Sequence, residues 1–402
     1  LKEAQIYQED QAFQVWKNAV RENGNLFGVV KHEHEPRKVR RFTYQMINSI
    51  PFTREDIMSL LEKEFKFVET LRVNTEEYIR YVSGGRDYGE MYLSTTDEFI
   101  LSMYKRNPKF ADTKIFKTKR YRDISAYIDR LKQGKIKIAA DYYTMCSMPF
   151  ELLRWSLGEE ITSSLLKPWE VCHQGLKEGT RVTICRNPHI CAGNVEMATN
   201  RKPKELEQWF CFGNGSQPKN ILVLSPWNWD IMNALNGADF DSDEVLCIRE
   251  KVITKRTEEI MADHKKRFPI PHNCVKGTAV EKCSYYDWEQ LEALDSKLSA
   301  NMIGEIVNLA QVINSIYFDG WRNIEELEDF ETDVRQFGYG EQEAIYSNVA
   351  RLAVMSGIEI DKAKHDFDLD VAKAYEFLLN EGAGVSTWGW ERNYVTIGSE
   401  EY

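Results

Sequence analysis

The sequence predicts an α+β fold, helical at both ends and β-rich between about residues 134 and 250. Three observations carry this. Apolar residues recur every three to four positions at Ile124, Tyr127, Ile128 and Leu131, and again from Met302 to Tyr317, as on one face of a helix. After Gly134 the pattern switches to alternation of polar and apolar residues, the mark of half-buried strands. Between two short apolar runs, residues 221–224 and 245–248, lies a nine-residue acidic stretch, residues 236–244. A chain of 402 residues has room for two or three domains. The pattern changes divide it into a mainly helical, neck-like or linker-like region (1–133), a β-rich unit (134–252) and a second helical region (253–402).

In the first region, residues 54–67 form a charged amphipathic stretch after Pro51, residues 75–82 repeat the pattern, and residues 121–132 carry the period just described. In the second, residues 135–140 alternate as a strand and residues 150–157 suit a short helix stopped by Gly158. Residues 180–185 alternate again. Residues 221–224 are fully apolar and end at Ser225-Pro226, and residues 245–248 follow the acidic stretch as a further strand. In the third, Met302, Ile303, Ile306, Val307, Ala310, Ile313, Ile316 and Tyr317 form one apolar stripe, with Asn308 and Gln311 on its polar side.

The acidic stretch is where chemistry is expected. Asp239, Asp241 and Asp243 alternate, and alternate residues of an extended segment point to one side. Two carboxylates about 4 Å apart repel by roughly 4 kcal/mol at an effective dielectric near 20, so three converging ones call for a cation. All-oxygen donors select Mg²⁺, Mn²⁺ or Ca²⁺ over zinc. Mg²⁺ keeps positions open for phosphates, which suits phosphoryl or nucleotidyl transfer. Two other readings compete: an exposed acidic turn, and an EF-hand loop with Asp239, Asp241, Asp243 and Glu250 at its first, third, fifth and twelfth positions. The EF-hand match lacks glycine at the sixth position, which is Glu244, and its flanks read as strands.

Composition sets the limits. A net charge of −11 argues against a generally sticky nucleic-acid binder but leaves room for a local basic channel. Three basic clusters are candidates for it or for solvated faces: Arg37, Lys38, Arg40 and Arg41; Lys114, Lys117, Lys119, Arg120 and Arg122; Lys265, Lys266 and Arg267. No apolar run approaches the ~20 residues of a membrane span, so no membrane partner is expected. The eight cysteines form no CxxC pair and read as reduced thiols of a cytoplasmic protein. Cys172-His173 lacks further ligands at metal spacing and reads as buried structure.

The string Gly237-Ala238-Asp239-Phe240-Asp241-Ser242-Asp243 resembles the catalytic aspartate loop of cellular RNA polymerases, usually Asn-Ala-Asp-Phe-Asp-Gly-Asp. It also resembles the Gly-Ser-Asp-Leu-Asp-Gly-Asp loop of eukaryotic RNA-silencing RNA-dependent RNA polymerases. About 50 residues upstream, Arg186-Asn187-Pro188-His189-Ile190-Cys191-Ala192-Gly193-Asn194 resembles the Lys-Asn-Pro-Cys-Leu-His-Pro-Gly-Asp element of the silencing polymerases, and more loosely the Arg-x-Pro element of the cellular ones. Downstream, Asn301-Met302-Ile303-Gly304-Glu305-Ile306-Val307-Asn308 resembles their Leu-Gly-x-Ile-x-Asn segment, which begins a bridge-like helix. The whole chain looks like the silencing-polymerase-like proteins of Firmicutes bacteria and their prophages, most strongly over residues 134–320.

This resemblance implies a double-psi β-barrel carrying the aspartate loop, with a bridge-helix-like segment near residues 298–318. It implies that Asp239, Asp241 and Asp243 are catalytic and hold Mg²⁺, with Mn²⁺ as a substitute. Arg186 is a candidate grip on phosphate or ribose, and His189, Asn236, Gly237 and Asn308 are candidate substrate contacts. The implied activity is template-directed polymerisation of ribonucleoside triphosphates with pyrophosphate release, on an RNA or a DNA template. Implied partners are the template, the nascent RNA, the nucleotides and a second, lysine-bearing barrel. No such barrel is visible before residue 134, so it is expected upstream of Leu1 or on another subunit. Ser242 departs from the family's glycine, and a positive φ there would cost about 1–2 kcal/mol. The rival functions are a template-independent nucleotidyltransferase or nuclease, and a non-enzymatic Ca²⁺-binding or scaffold module.

Overall fold

The computed structural model describes residues 12–24, 36–84, 93–209, 219–275, 277–278, 287–299, 301–326, 332–362, 366–367 and 369–380. The chain divides into two units, Leu1–Pro36 and Arg37–Tyr402. In the first, the described element is the helix Ala12–Glu22, which ends where the backbone and side-chain N–H groups of Asn23 both return to the Ala19 carbonyl.

The second unit is a mixed α+β structure built on a closed barrel of six strands: β1 (Ala140–Cys146), β2 (Glu170–Cys172), β3 (Arg181–Cys185), β4 (Glu196–Asn200), β5 (Ile221–Leu224) and β6 (Glu244–Ile248). Around the barrel the order is β1-β5-β2-β4-β3-β6, closing back on β1. The β1/β5 and β2/β4 pairs are parallel and the other four antiparallel.

Alternation sorts the side chains. Tyr143, Met145, Val171, Val182, Ile184, Ala198, Leu222, Leu224, Val245 and Cys247 share one cluster that fills the barrel. Residues of the opposite parity on β1, β3 and β6, namely Ala140, Cys185, Leu246 and Ile248, join a second cluster with the surrounding helices Tyr44–Ser49, Ile303–Glu326 and Thr332–Asp361. A third cluster, including Leu71, Tyr78, Phe116 and Tyr127, binds Arg54–Val73, Thr75–Ser83, Thr95–Arg106 and Lys114–Lys132 together. The first of these helices starts in a reciprocal capping box between Thr53 and Asp56.

The expected alternation over residues 135–140 is realised as a two-residue pairing of Lys137–Ile138 with Arg40–Arg41, followed directly by β1. Strands β1, β2 and β4 are additions to the sequence reading. Their inward or fully buried positions include Asp141, Glu196 and Asn200, which hide the apolar pattern.

Two basic clusters turn out to be partly structural. Arg40 forks onto Asp141, through Nε at 2.8 Å and Nη2 at 2.7 Å. Asp141 has no exposed surface and also accepts the backbone N–H groups of Arg37 and Tyr142. Arg41 donates to the Lys135 carbonyl. Lys119 sits between Asp97 and Asp123, and Arg120 donates to the Leu71 carbonyl. Lys114, Lys117 and Arg122 remain exposed. The side chains of Lys265, Lys266 and Arg267 lie outside the described residues. Among the described residues no helix is long and apolar enough to cross a membrane.

His173 is a packed core histidine. It stacks on Tyr143 at 3.9 Å, its Nδ1 accepts the Gly175 N–H and its Nε2 faces the Lys219 carbonyl at 3.0 Å. That pairing fixes the tautomer with the proton on Nε2 and leaves no lone pair for a metal.

Removing one partner of a buried ion pair strands the other. The substitution Asp141→Ala is therefore expected to destabilise the fold by about 3 kcal/mol. The urea midpoint checks this, and an unmoved midpoint would mean that the clamp between residues 37–41 and β1 is dispensable.

Candidate active site at one rim of the barrel

The strand pairings put one kind of connection at one end of the barrel. The C-terminal ends of β1, β3 and β5 and the N-terminal ends of β2, β4 and β6 all face the same rim. Residues 186–194 leave β3 there, residues 225–230 leave β5 there, and residues 235–243 arrive there on the way into β6.

The segment from Trp229 to Ala238 plugs this end. Trp229, Ile231, Leu235 and Ala238 are at most 5% exposed and belong to the barrel-filling cluster. The short helix Ile231–Ala234 is followed by a left-handed turn at Asn236 (φ 57°) and Gly237 (φ 69°), with the Ala238 N–H on the Met232 carbonyl. The acidic loop emerges from this plug.

Asp239, Asp241 and Asp243 each offer a carboxylate oxygen within 4.8 Å of the others. The first two are exposed and Asp243 is half-buried. The Asp239 N–H donates to Asp243 Oδ2 (2.9 Å) and the Asp241 N–H to Asp239 Oδ1 (3.2 Å), so the loop curls on itself. Its end is pinned to β1 by the Met145 N–H on the Asp243 carbonyl (2.8 Å). Ser242 takes φ 106°, so the departure from glycine falls on a strained position.

Arg186 staples the loop. Its Nη2 lies 3.0 and 2.9 Å from the two Asp243 oxygens, while Nη1 donates to the carbonyls of Asn236 (3.2 Å) and Leu235 (3.5 Å). Its fork therefore ties the start of the loop to its end. Sequence reasoning assigned it to phosphate or ribose; in the structure its hydrogen bonds go to the loop. Asn236 reaches the Pro188 carbonyl at 3.5 Å. Gly237 is exposed, with open space where a Cβ would stand.

The segment holding Arg186 is itself clamped. Gln311 Nε2 donates to the His189 carbonyl (3.2 Å) and Asn314 Nδ2 to the Ile190 carbonyl. Gln45 accepts the His189 N–H. Tyr346 Oη accepts the Gly193 N–H (3.1 Å) and donates to the Pro269 carbonyl (2.9 Å). A Cβ on Gly193 would stand 2.6 Å from that carbonyl, so only glycine fits. Asn194 closes the circuit by donating to the Ala234 carbonyl of the plug (3.1 Å).

His189 has no exposed surface. Neither ring nitrogen meets a partner at hydrogen-bonding geometry, and burial pushes its pKa down to about 4, with the Asn194 backbone acting the other way. The ring thus lies beneath the rim surface. Asn308 is exposed and accepts the Tyr44 hydroxyl at 3.2 Å. Gln311, on the polar side of the helical stripe, is buried against residues 186–194. Glu250 turns away from the trio to the Ala139 N–H (3.3 Å), and a four-residue helix and a strand flank the loop, so the EF-hand arrangement is absent.

Gln311, expected with Asn308 on a side open to the template, instead clamps residues 186–194, and Asn194 had been noted only as part of that motif. Asn314, Tyr346 and the carboxylate Glu196 were not foreseen as site elements. Glu196 shares the inward parity of Ala198 and sits under the plug, 2% exposed. Burial raises its pKa to about 7, with the nearby Trp229 and Trp169 side chains acting the other way and Asp230 reinforcing it; the Trp229 indole nitrogen itself meets no partner at hydrogen-bonding geometry. Asp230 in turn pairs with His272 (2.7 Å).

No family model matches the chain, and no curated protein matches it. Among solved structures it is similar to the RNA-dependent RNA polymerase QDE-1 from Thielavia terrestris, at 12% identity and a TM-score of 0.47, over 88% of this chain and 38% of that one. The chain thus spans less than two-fifths of that protein's length.

Two outcomes follow from this geometry. Ser242→Gly relieves the strained φ, offset in part by glycine's extra unfolded-state freedom, and is expected to raise stability by about 1 kcal/mol; chemical denaturation reads it. Glu196 has a folded pKa (about 7) above its unfolded one (4.5), so its contribution is fully present below about pH 4.5 and lost as pH rises through 7. Glu196→Gln is expected to remove that pH dependence, so that it exceeds the wild type in stability at pH 8 by up to about 3 kcal/mol. Parallel stability–pH curves for the two proteins would disprove it.

Proposed function

We propose that this chain is the aspartate-bearing, catalytic part of a two-barrel RNA polymerase, and that its barrel has double-psi topology. The observation that carries the proposal is the convergence of Asp239, Asp241 and Asp243 within 4.8 Å on a loop whose sequence resembles the polymerase aspartate loop. The closed six-stranded barrel and the two accompanying motifs, residues 186–194 and 301–308, support it.

The site suits a divalent cation. Three carboxylates converge there, Arg186 pairs with Asp243, and the donors are all hard oxygens. Asp239, Asp241 and Asp243 would hold Mg²⁺, with Mn²⁺ as a substitute. When bound, such an ion polarises phosphoryl oxygen and favours the ionised form of a hydroxyl nucleophile.

The reaction proposed is attack of a 3′-hydroxyl on the α-phosphate of a ribonucleoside triphosphate, with pyrophosphate leaving. The chain's contribution is positional. Arg186 holds Asp243 by both oxygens, so one ligand is fixed before any ion arrives and the remaining two are left exposed. The plug seats the loop against the barrel core, and the exposed Gly237 leaves room for substrate beside it. A lysine-bearing partner barrel, the template and the nascent RNA complete the proposed machine.

The test is synthesis from labelled ribonucleotides with Mg²⁺ on single-stranded RNA and DNA templates, with Mn²⁺ and Ca²⁺ arms. Template-dependent product is expected. Asp241→Ala should lower it by at least about a hundredfold, the scale seen on removing one charge-stabilising group from an active site. Product that ignores template sequence would favour a template-independent transferase. Ca²⁺ binding without nucleotide binding would favour a non-enzymatic module.

A further inference from the structure

The same rim carries an aromatic ledge that the metal chemistry does not use. Strand β2 is entered through a turn in which the Glu170 N–H donates to the Lys167 carbonyl at 3.0 Å. Pro168 takes the second position, which its fixed φ suits, and Trp169 takes the third with φ 61°. A positive φ at that position ordinarily selects glycine or asparagine. A tryptophan there is an outlier that the fold must hold against its preference.

Burial accounts for only part of this. Trp169 touches the plug through Trp229, at 6.5 Å between ring centroids, and its indole N–H acts on Glu196, yet the residue remains 44% exposed. On the neighbouring strand end stands Trp227, 42% exposed. The register pairs Val171 with Leu224, which brings the turn at Trp169 beside the segment 225–227. Two large indoles are thus left in water on adjoining connections of the rim that also bears the three aspartates. Lys167, exposed on the same turn, adds a positive charge.

We infer that Trp169 and Trp227 form a stacking platform for the bases of a single-stranded nucleic acid that passes the metal site. The inference rests on the proposed polymerase function for its ligand class. Every base offers a π-face, so an indole ledge holds a strand without reading its sequence, and Lys167 contributes a contact to the backbone. The ledge lies across the barrel mouth from Arg186 and Asp243: around the rim, β5 and β2 are separated from β3 and β6 by β1 on one side and β4 on the other. A strand engaged at the aspartates would cross the plug to reach it.

The experiment is equilibrium binding of a fluorescently labelled 12-nucleotide strand to the full chain in EDTA at low salt, with RNA and DNA arms. Trp227→Ala and Trp169→Asn are compared with the wild type. Asparagine tolerates the left-handed backbone, and Trp227 is exposed, so both variants are expected to fold; circular dichroism verifies it. Each is expected to bind about tenfold more weakly, equivalent to ~1.4 kcal/mol. RNA and DNA should bind within a few-fold of each other, because stacking does not sense the sugar.

Equal affinities for the wild type and both tryptophan variants would overturn the inference, as would absence of binding by the folded wild type. A protein partner captured by this surface in place of nucleic acid would show as that second outcome. Failure of the polymerase reading appears elsewhere, as missing template-dependent synthesis with Mg²⁺, so the two failures are distinguishable.

Discussion

Three carboxylates that converge within 4.8 Å repel one another, and the protein must hold them there before any cation helps. The fork of Arg186 does this. It pairs with one carboxylate through Nη2, ties both ends of the loop together by donating from Nη1 to the carbonyls of Leu235 and Asn236, and gains strength from being charge-assisted and partly shielded. Most of the rim can be understood as support for that guanidinium. Residues 186–194 carry it, buried amides of the Ile303–Glu326 helix grip that segment's carbonyls, and Tyr346 reaches in from the next helix to hold Gly193.

The support is built from buried polar groups, and this has an energetic logic. A buried carbonyl with no donor costs roughly 1–3 kcal/mol, so Gln311 and Asn314 each answer a need created by a loop without regular structure. The same groups make the arrangement specific: sliding the helix by one residue would strand both amides and both carbonyls at once. Apolar packing, being non-directional, would tolerate such a slip far better.

Much of this was legible in the sequence. The alternation of Asp239, Asp241 and Asp243 stood out against strong apolar neighbours, and the stripe from Met302 to Tyr317 announced a helix, with Ile306, Val307, Ala310, Ile313 and Tyr317 buried and Met302, Ile303 and Ile316 half-buried against the same core. The strained backbone at Ser242 followed from comparing one residue with the family's glycine. What stayed hidden has a common physical cause. Strands β1 and β4 place Asp141, Glu196 and Asn200 in buried positions, and β2 has only three residues, so no period emerges. Arg186 and His189 were singled out as substrate contacts, but a sequence does not say that a guanidinium forks onto its neighbouring loop or that a ring lies beneath the surface. Asn194 was visible as a letter in a motif, while its bond to Ala234 exists only in three dimensions.

The order of the strands around the barrel bears on how the chain reaches this state. Strand β1 pairs with β5 and β6, the last two barrel strands in the sequence, roughly 80 to 100 residues away. Loop-closure entropy must be met before those pairings give anything back, so the topology favours slow, cooperative formation over stepwise growth. During synthesis, one edge of β1 lacks its partner until residues 221–224 have emerged and the other until residues 244–248 have. That interval exposes a seven-residue strand able to pair with the wrong neighbour, and the aspartate loop takes shape only in the step that ends it.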